Sequence, residues 1–219
     1  ISKLNEFLGD LTLDQLNTSV LATSFDYDQK TPIIFSNVNF PDVTGRTEKA
    51  ANVALATGSA PLFFPPANWD GTNYIDGGVI KNNPALLALT IGKIQKPNAN
   101  RFCVLSLGCG LGEVGFHDIP DPPVPPNPAY FPNMNLLFSL QNIFLKGNQE
   151  VDAKTVEILA DFTLENLFQY RAQILIDPAQ DSGLDNTSTG FTTYMTNAFG
   201  QLFNNDIENI STFLGHLTA

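Results

Sequence analysis

The sharpest chemical feature of this sequence is a carboxylate at the end of a short apolar run, followed by two glycines: Tyr74-Ile75-Asp76-Gly77-Gly78. At the end of a strand, Asp76 would lie where open α/β sheets gather their active sites. Gly77 and Gly78 would let the chain turn sharply and leave space beside the carboxylate. The same letters also describe an ordinary turn, because Asp-Gly and Gly-Gly are common hairpin dipeptides. Both readings stand on the local sequence.

A serine nucleophile of the strand–turn–helix kind needs small neighbours on both sides, in the pattern G-x-S-x-G. No segment here has it. Asn186-Thr-Ser188-Thr-Gly190 comes nearest, but Asn186 stands where the first glycine belongs, so Ser188 reads better as a helix cap before Phe191. Ser106, in Leu105-Ser-Leu-Gly-Cys-Gly110, has a strand before it and no glycine two residues earlier. The glycines after Leu107 lack the lysine of a P-loop and the full dinucleotide fingerprint, so that stretch reads as a tight strand exit. His117 and His216 are the two histidines. Neither has partners at metal-ligand spacing, and both read as surface residues. Cys103 and Cys109 make no disulfide framework and read as reduced thiols, with a lone disulfide as the alternative. No metal and no cofactor is expected.

The elements that would position Asp76 follow from the flanking pattern. Residues 10–16 suggest a short helix or a lead-in loop. Thr18–Phe25 and Pro32–Phe35 read as strands of a hairpin turned by Asp26-Tyr-Asp-Gln-Lys30. The Ala-rich stretch Thr47–Ala56 reads as a helix ended by Gly58 and Pro61. Asn83 and Pro84 predict the start of a helix. Arg101–Leu107 is apolar on both faces, as a central parallel strand would be. Residues 119–132 hold seven prolines and read as a stiff surface excursion. Two helices are expected at Asn133–Lys146 and Gln149–Phe162, a strand at Tyr170–Ile176, and helix from Gly190 to Leu217. The apolar stretch Met134–Leu145 is read as core, with a lid or lipid-contacting helix as the alternative. The alternation predicts one α/β domain over residues 1–219, with a mostly parallel central sheet flanked by helices.

Composition narrows the function. The 219 residues carry 11 Lys+Arg against 22 Asp+Glu, a net charge of −11. Such a chain disfavours nucleic acid as a partner and disfavours strong electrostatic attachment to anionic lipid. Hydrophobic residues make up 43%, enough for a sizeable core and too many for a disordered chain. No apolar run reaches the roughly 18 residues of a membrane span. The chain opens at Ile1 with no signal-like stretch, which suggests a cut point.

Taken together, the segments resemble patatin-like lipid acyl hydrolases. The similarity runs through Leu21-Ala-Thr-Ser-Phe25 and Pro32-Ile-Ile-Phe-Ser36. It continues in Ala54-Leu-Ala-Thr-Gly-Ser-Ala-Pro-Leu-Phe-Phe-Pro65, which is similar to the family's A-T-S-A-A-P-x-x-F-P stretch. Tyr74–Val79 with Asn82-Asn83-Pro84-Ala85 is similar to its Asp-Gly-Gly block. Ser106–Gly110 is similar to its S-L-G-T-G, with Cys109 in place of Thr, and Leu184–Ser188 to its D-D-x-S. Five blocks in this order cover nearly the whole chain.

The resemblance implies a Ser–Asp dyad that hydrolyses acyl esters, with Asp76 as the dyad aspartate within its Gly77-Gly78 motif. The dyad serine and a glycine-rich oxyanion loop would lie upstream of Ile1. The chain is therefore expected to be the C-terminal part of such a protein, incomplete at its N-terminus and inactive alone. The implied partners are a lipid or acyl-ester substrate, a transient membrane or micelle surface, and the N-terminal segment as a separate chain. Removing that segment would leave an exposed apolar face. A non-catalytic storage, regulatory or binding protein on a degenerate version of the fold is the alternative.

Overall fold

The computed structural model describes residues 2–61, 63–112, 134–162, 164–177 and 187–218. They gather in two compact units, Ile1–Pro84 and Ala85–Ala219.

The first unit is built on a five-stranded sheet in the order β3-β2-β1-β5-β4. Its strands are β1 (Leu21–Asp26), β2 (Thr31–Ser36), β3 (Val43–Thr44), β4 (Ala67–Trp69) and β5 (Thr72–Asp76). The Asp26 carboxylate makes the β1–β2 turn by accepting from the Asp28 and Gln29 N–H groups at 2.9 and 2.8 Å. The β4–β5 turn is the two-residue loop Asp70-Gly71, both at positive φ, as the favoured tight hairpins require. The three-residue strand β4 is too short to show an alternating pattern, so Asp70-Gly71 is its one legible signal.

This sheet is mixed, not mostly parallel. β1 pairs antiparallel with β2 and β5, β4 pairs antiparallel with β5, and β2–β3 alone in this sheet is parallel. For the β1–β2 and β4–β5 pairs the reason lies in loops of four and two residues, too short for a parallel crossover; β1 and β5 meet across a long excursion, and β2–β3 runs parallel over residues 37–42. The α/β class itself stands.

Helix α1 (Ser2–Leu8) and a 3-10 turn at Leu13–Gln15 lead into the sheet, and helix α2 (Ala50–Thr57) packs on it. The buried residues of α2 are Ala50, Ala51, Val53 and Ala56. Small side chains let the helix lie close to the strands. Leu13, Phe35, Val53 and Ala67 complete this core, with Trp69 and Tyr74 against it. Trp69 and Tyr74 stack with centroids 4.1 Å apart, and Phe35 meets Tyr74 edge-on at 5.5 Å. Such pairs add about 0.5–1.5 kcal/mol each beyond their area burial. After β5 come a single helical turn, α3 (Gly78–Lys81), and then α4 (Ala85–Gln95), which opens the second unit.

In the second unit β6 (Phe102–Leu107) pairs parallel and in register with β8 (Leu167–Ala172), from Phe102↔Leu167 to Leu107↔Ala172. A second parallel pair joins β7 (Leu111–Gly112) to β9 (Leu175–Ile176). The expected strand at 170–176 is thus two strands with a break between them. The strands expected to share one sheet system divide between separate ladders. Leu105 and Leu107 are 54% and 70% exposed. They share a face with Cys103 by parity; their ladder neighbours Tyr170 and Ala172 are buried and pack with Phe213, so among the described residues that core covers β8 and leaves Leu105 and Leu107 open. Double-sided apolarity therefore does not mark a central strand here.

Helix α5 (Met134–Phe162) is continuous, where two helices were expected. Gly147 interrupts the sequence pattern without breaking the helix; a lone interior glycine costs roughly 1 kcal/mol, too little to end it. The side chains of Met134–Leu145, on which the core-or-lid question turns, lie outside the described residues, as does the proline-rich stretch 119–132. Helices α6 (Thr189–Asn205) and α7 (Ile207–Thr218) complete the unit. Among the described residues, no helix is long and apolar enough to cross a membrane.

Candidate active site

Asp76 is the last residue of β5 and is half-buried. It pairs across the ladder with Ser24, a fully buried residue whose hydroxyl donates to the Ile75 carbonyl at 2.7 Å. The Asp76 N–H donates to the Ser59 carbonyl at 3.0 Å. Its carboxylate Oδ1 accepts from the Gly78 N–H at 2.6 Å. Burial pushes the carboxyl above the usual carboxylate range, and the Gly78 bond pulls it partway back. The site therefore holds a carboxylate with raised basicity, fixed in direction by one backbone donor.

Gly77 has φ −68° and ψ −16°, values open to any residue. Its glycine requirement is therefore steric, not conformational, which corrects the expectation of a glycine-permitted sharp turn. A Cβ at Gly77 would stand 2.0 Å from the Thr23 carbonyl oxygen and 2.4 Å from the Thr23 hydroxyl. β1 and the turn after β5 approach so closely that no side chain fits between them. Gly78, also buried, begins the helical turn whose Ile80 and Lys81 N–H groups bond back to the Gly77 carbonyl at 3.0 and 2.8 Å. Strand, aspartate and immediate helical turn thus replace the hairpin that the dipeptides alone allowed.

The other candidates do not gather here. Ser188 is the N-cap of α6 and accepts from the Phe191 N–H at 3.2 Å, as its sequence context suggested. Ser106 lies within β6, opposite Arg171 in the ladder. The Gly108 N–H donates to the Ala172 carbonyl at 2.9 Å, and the Gln173 side chain packs over its Cα. That N–H continues the ladder and is not presented to a phosphate. His216 stacks on Phe168 with centroids 3.6 Å apart, and its carbonyl accepts from Arg101 at 3.1 Å. His117 lies outside the described residues. Cys103 and Cys109 are free thiols. Among the described residues no cluster of His, Cys, Asp or Glu could hold a metal ion.

Sequence reading missed Thr57 and Ser59. The Thr57 hydroxyl donates to the Thr23 carbonyl at 2.7 Å, and Ser59 supplies the carbonyl that holds the Asp76 N–H. The signal is present in Thr57-Gly58-Ser59, which reads along the chain as a helix end inside the Ala54–Pro65 stretch and gives no role to either hydroxyl residue.

Fold and site together define an α/β protein with a strand-end aspartate leading directly into a helical turn. Residues 1–89, which contain this site, match the family of patatin-like phospholipases. Curated relatives agree. The chain is 36% identical over 126 residues to Patatin-like protein 2 of Arabidopsis thaliana, covering 47% of this chain and 30% of that protein. It is 33% identical over 125 residues to Patatin-like protein 3 of the same plant, covering 48% and 29%. It is 29% identical over 127 residues to Probable inactive patatin-3-Kuras 1 of Solanum tuberosum, covering 49% and 34%. The matching segment spans about a third of the length of these relatives.

Proposed function

We propose that the complete protein is a lipid acyl hydrolase, of phospholipase A or carboxylic ester type, that works through a Ser–Asp dyad with Asp76 as base. The observation that carries this reading is the half-buried Asp76 carboxylate at the end of β5, inside a segment of patatin-like phospholipase kinship. In the proposed reaction the serine hydroxyl attacks the acyl carbon while Asp76 accepts its proton. The carboxylic acid then protonates the departing alcohol. Asp76 next takes a proton from water, which attacks the acyl-enzyme; the serine–acyl bond breaks, the fatty acid leaves, and Asp76 returns the proton to the serine oxygen. No histidine is needed, and a desolvated carboxylate is the more basic for it.

The serine would come from a G-x-S-x-G elbow, which residues 1–219 do not contain. It would be supplied by polypeptide upstream, in the same chain or as a separate one. The substrate would be met at a membrane or micelle surface. A non-catalytic role is the second reading, favoured by kinship to a relative named as probable inactive.

The test is paired. In the complete protein, Asp76→Asn should abolish hydrolysis of a chromogenic ester while the fold is retained, because an amide cannot accept the proton. Near-normal turnover by that variant would remove Asp76 from the mechanism. Residues 1–219 alone should show neither ester hydrolysis nor labelling by a serine-directed fluorophosphonate. Stoichiometric labelling would place the nucleophile within this chain.

A further inference from the structure

The turn that leaves helix α2 does more than end a helix. Thr57 and Ser59, two residues apart, reach both strands that frame Asp76. The Ser59 carbonyl accepts the N–H of Asp76 itself at 3.0 Å. The Thr57 hydroxyl donates to the Thr23 carbonyl of β1 at 2.7 Å. That carbonyl oxygen is the atom against which Gly77 packs, 2.0 Å from where a Cβ would stand. The Thr23 hydroxyl in turn donates to the Lys81 carbonyl at 3.4 Å, at the far end of the helical turn. The peptide on each side of Asp76 is thus referred to one short segment. Its N-terminal side is held by Ser59, and its C-terminal side is seated against a carbonyl held by Thr57. The Ser59 hydroxyl ties the segment back to its own helix by donating to the Leu55 carbonyl at 2.7 Å.

We infer that Thr57 is a positioning residue for Asp76: through the Thr23 carbonyl it sets where the Gly77–Gly78 turn sits, and so the direction in which the Gly78 N–H holds the carboxylate. This rests on the reading of Asp76 as the catalytic base only for its consequence in turnover. The geometric claim stands apart from it. The physical logic is that a carbonyl wedged against a glycine cannot shift without moving the turn. A carboxylate held by a single backbone donor follows that donor.

The variants are Thr57→Val, which keeps the shape and removes the hydroxyl, and Thr57→Ser, which keeps the hydroxyl and removes the methyl. Both are made in the complete protein. The direct readouts are hydrogen exchange at the Gly78 N–H and the carboxyl-carbon titration of Asp76 by NMR. Thr57→Val should speed exchange at Gly78 about tenfold and raise the Asp76 carboxyl pKa, because the anion loses its donor. Thr57→Ser should restore both. In turnover, Thr57→Val should lower kcat by roughly tenfold to a hundredfold with KM little changed, the expected result of a misplaced catalytic group.

Unchanged Gly78 exchange and Asp76 titration in Thr57→Val would overturn the inference. So would a Thr57→Ser protein as perturbed as Thr57→Val, since the methyl and not the hydroxyl would then matter. If Thr57→Val does not fold, Thr57→Ser decides by the same NMR readouts, with wild-type values expected. The outcomes separate the two claims. Full activity in Asp76→Asn removes the catalytic reading and leaves the NMR test intact. Altered turnover in Thr57→Val without any change at Gly78 or Asp76 overturns the positioning role and leaves Asp76 as base.

Discussion

Replacing Gly77 by Ala adds one methyl group at the point where β1 and the turn after β5 come closest. An ordinary contact to Cβ begins at 3.4 Å, so the 2.0 Å approach to the Thr23 oxygen falls short by 3.4 − 2.0 = 1.4 Å. The atoms in the way are backbone, the Thr23 carbonyl carbon at 2.2 Å among them, so no rotamer change relieves the clash. The turn must move off the strand. That strains the hydrogen bond from Thr57 to the Thr23 carbonyl and the one from Thr23 to the Lys81 carbonyl. Overpacking of this kind costs roughly 1–3 kcal/mol, and a strained buried hydrogen bond adds about 1 kcal/mol. The expected loss is about 3 kcal/mol. With a melting shift of about 2–4 °C per kcal/mol for a chain of this size, Tm should fall by about 6–12 °C. The backbone angles at Gly77 suit alanine, so none of this comes from φ/ψ strain.

Gly92→Ala is the control. Gly92 lies inside α4, with nothing within 4 Å of its would-be Cβ. The same methyl should there stabilise by up to about 1 kcal/mol through helix propensity. Thermal and urea denaturation of both variants, side by side, measure the contrast. A Gly77→Ala protein within about 0.5 kcal/mol of wild type, the usual range for an innocuous surface change, would refute the close approach. The Asp76–Gly77–Gly78 geometry would fall with it.

Two further predictions follow from the same structure. Asp76 has a carboxyl pKa raised in the folded state above its unfolded value of 3.8. The folded state therefore binds more protons between those values, and this group's contribution to stability falls as pH rises through that window. Asp76→Asn should remove that slope and match or exceed wild-type stability above it. Urea denaturation from pH 3 to 8 checks the sign, and a variant that loses stability only at high pH would contradict it. Ser188→Ala removes the cap that holds the Phe191 N–H. It should cost about 1 kcal/mol and loosen the first turn of α6 by hydrogen exchange, while ester hydrolysis by the complete protein stays unchanged. Lost hydrolysis in a folded Ser188→Ala protein would return Ser188 to the chemistry.

Local features were readable before any coordinates. Gly58 at the end of α2 and Ser188 at the start of α6 depend on contacts only a few residues away, so their types suffice to place them. The β1–β2 hairpin is legible for the same reason, since Asp26 makes its own turn. The position of Asp76 at the end of a strand also followed from the run before it and the glycines after it.

Tertiary structure decided everything that depends on residues far apart in the chain. Strand direction was one such matter: short loops forced antiparallel pairs in the first unit, although the apolar runs look alike in either arrangement. The exposure of Leu105 and Leu107 was another, because sequence shows that a face is apolar but not whether anything covers it. The reason for Gly77 was a third. Read along the chain it is a turn glycine; in space it is the contact point with Thr23, 54 residues earlier. Thr57 and Ser59 acquire their meaning the same way. A hydroxyl and a carbonyl at a helix end are unremarkable until the fold brings the strand of Asp76 beside them.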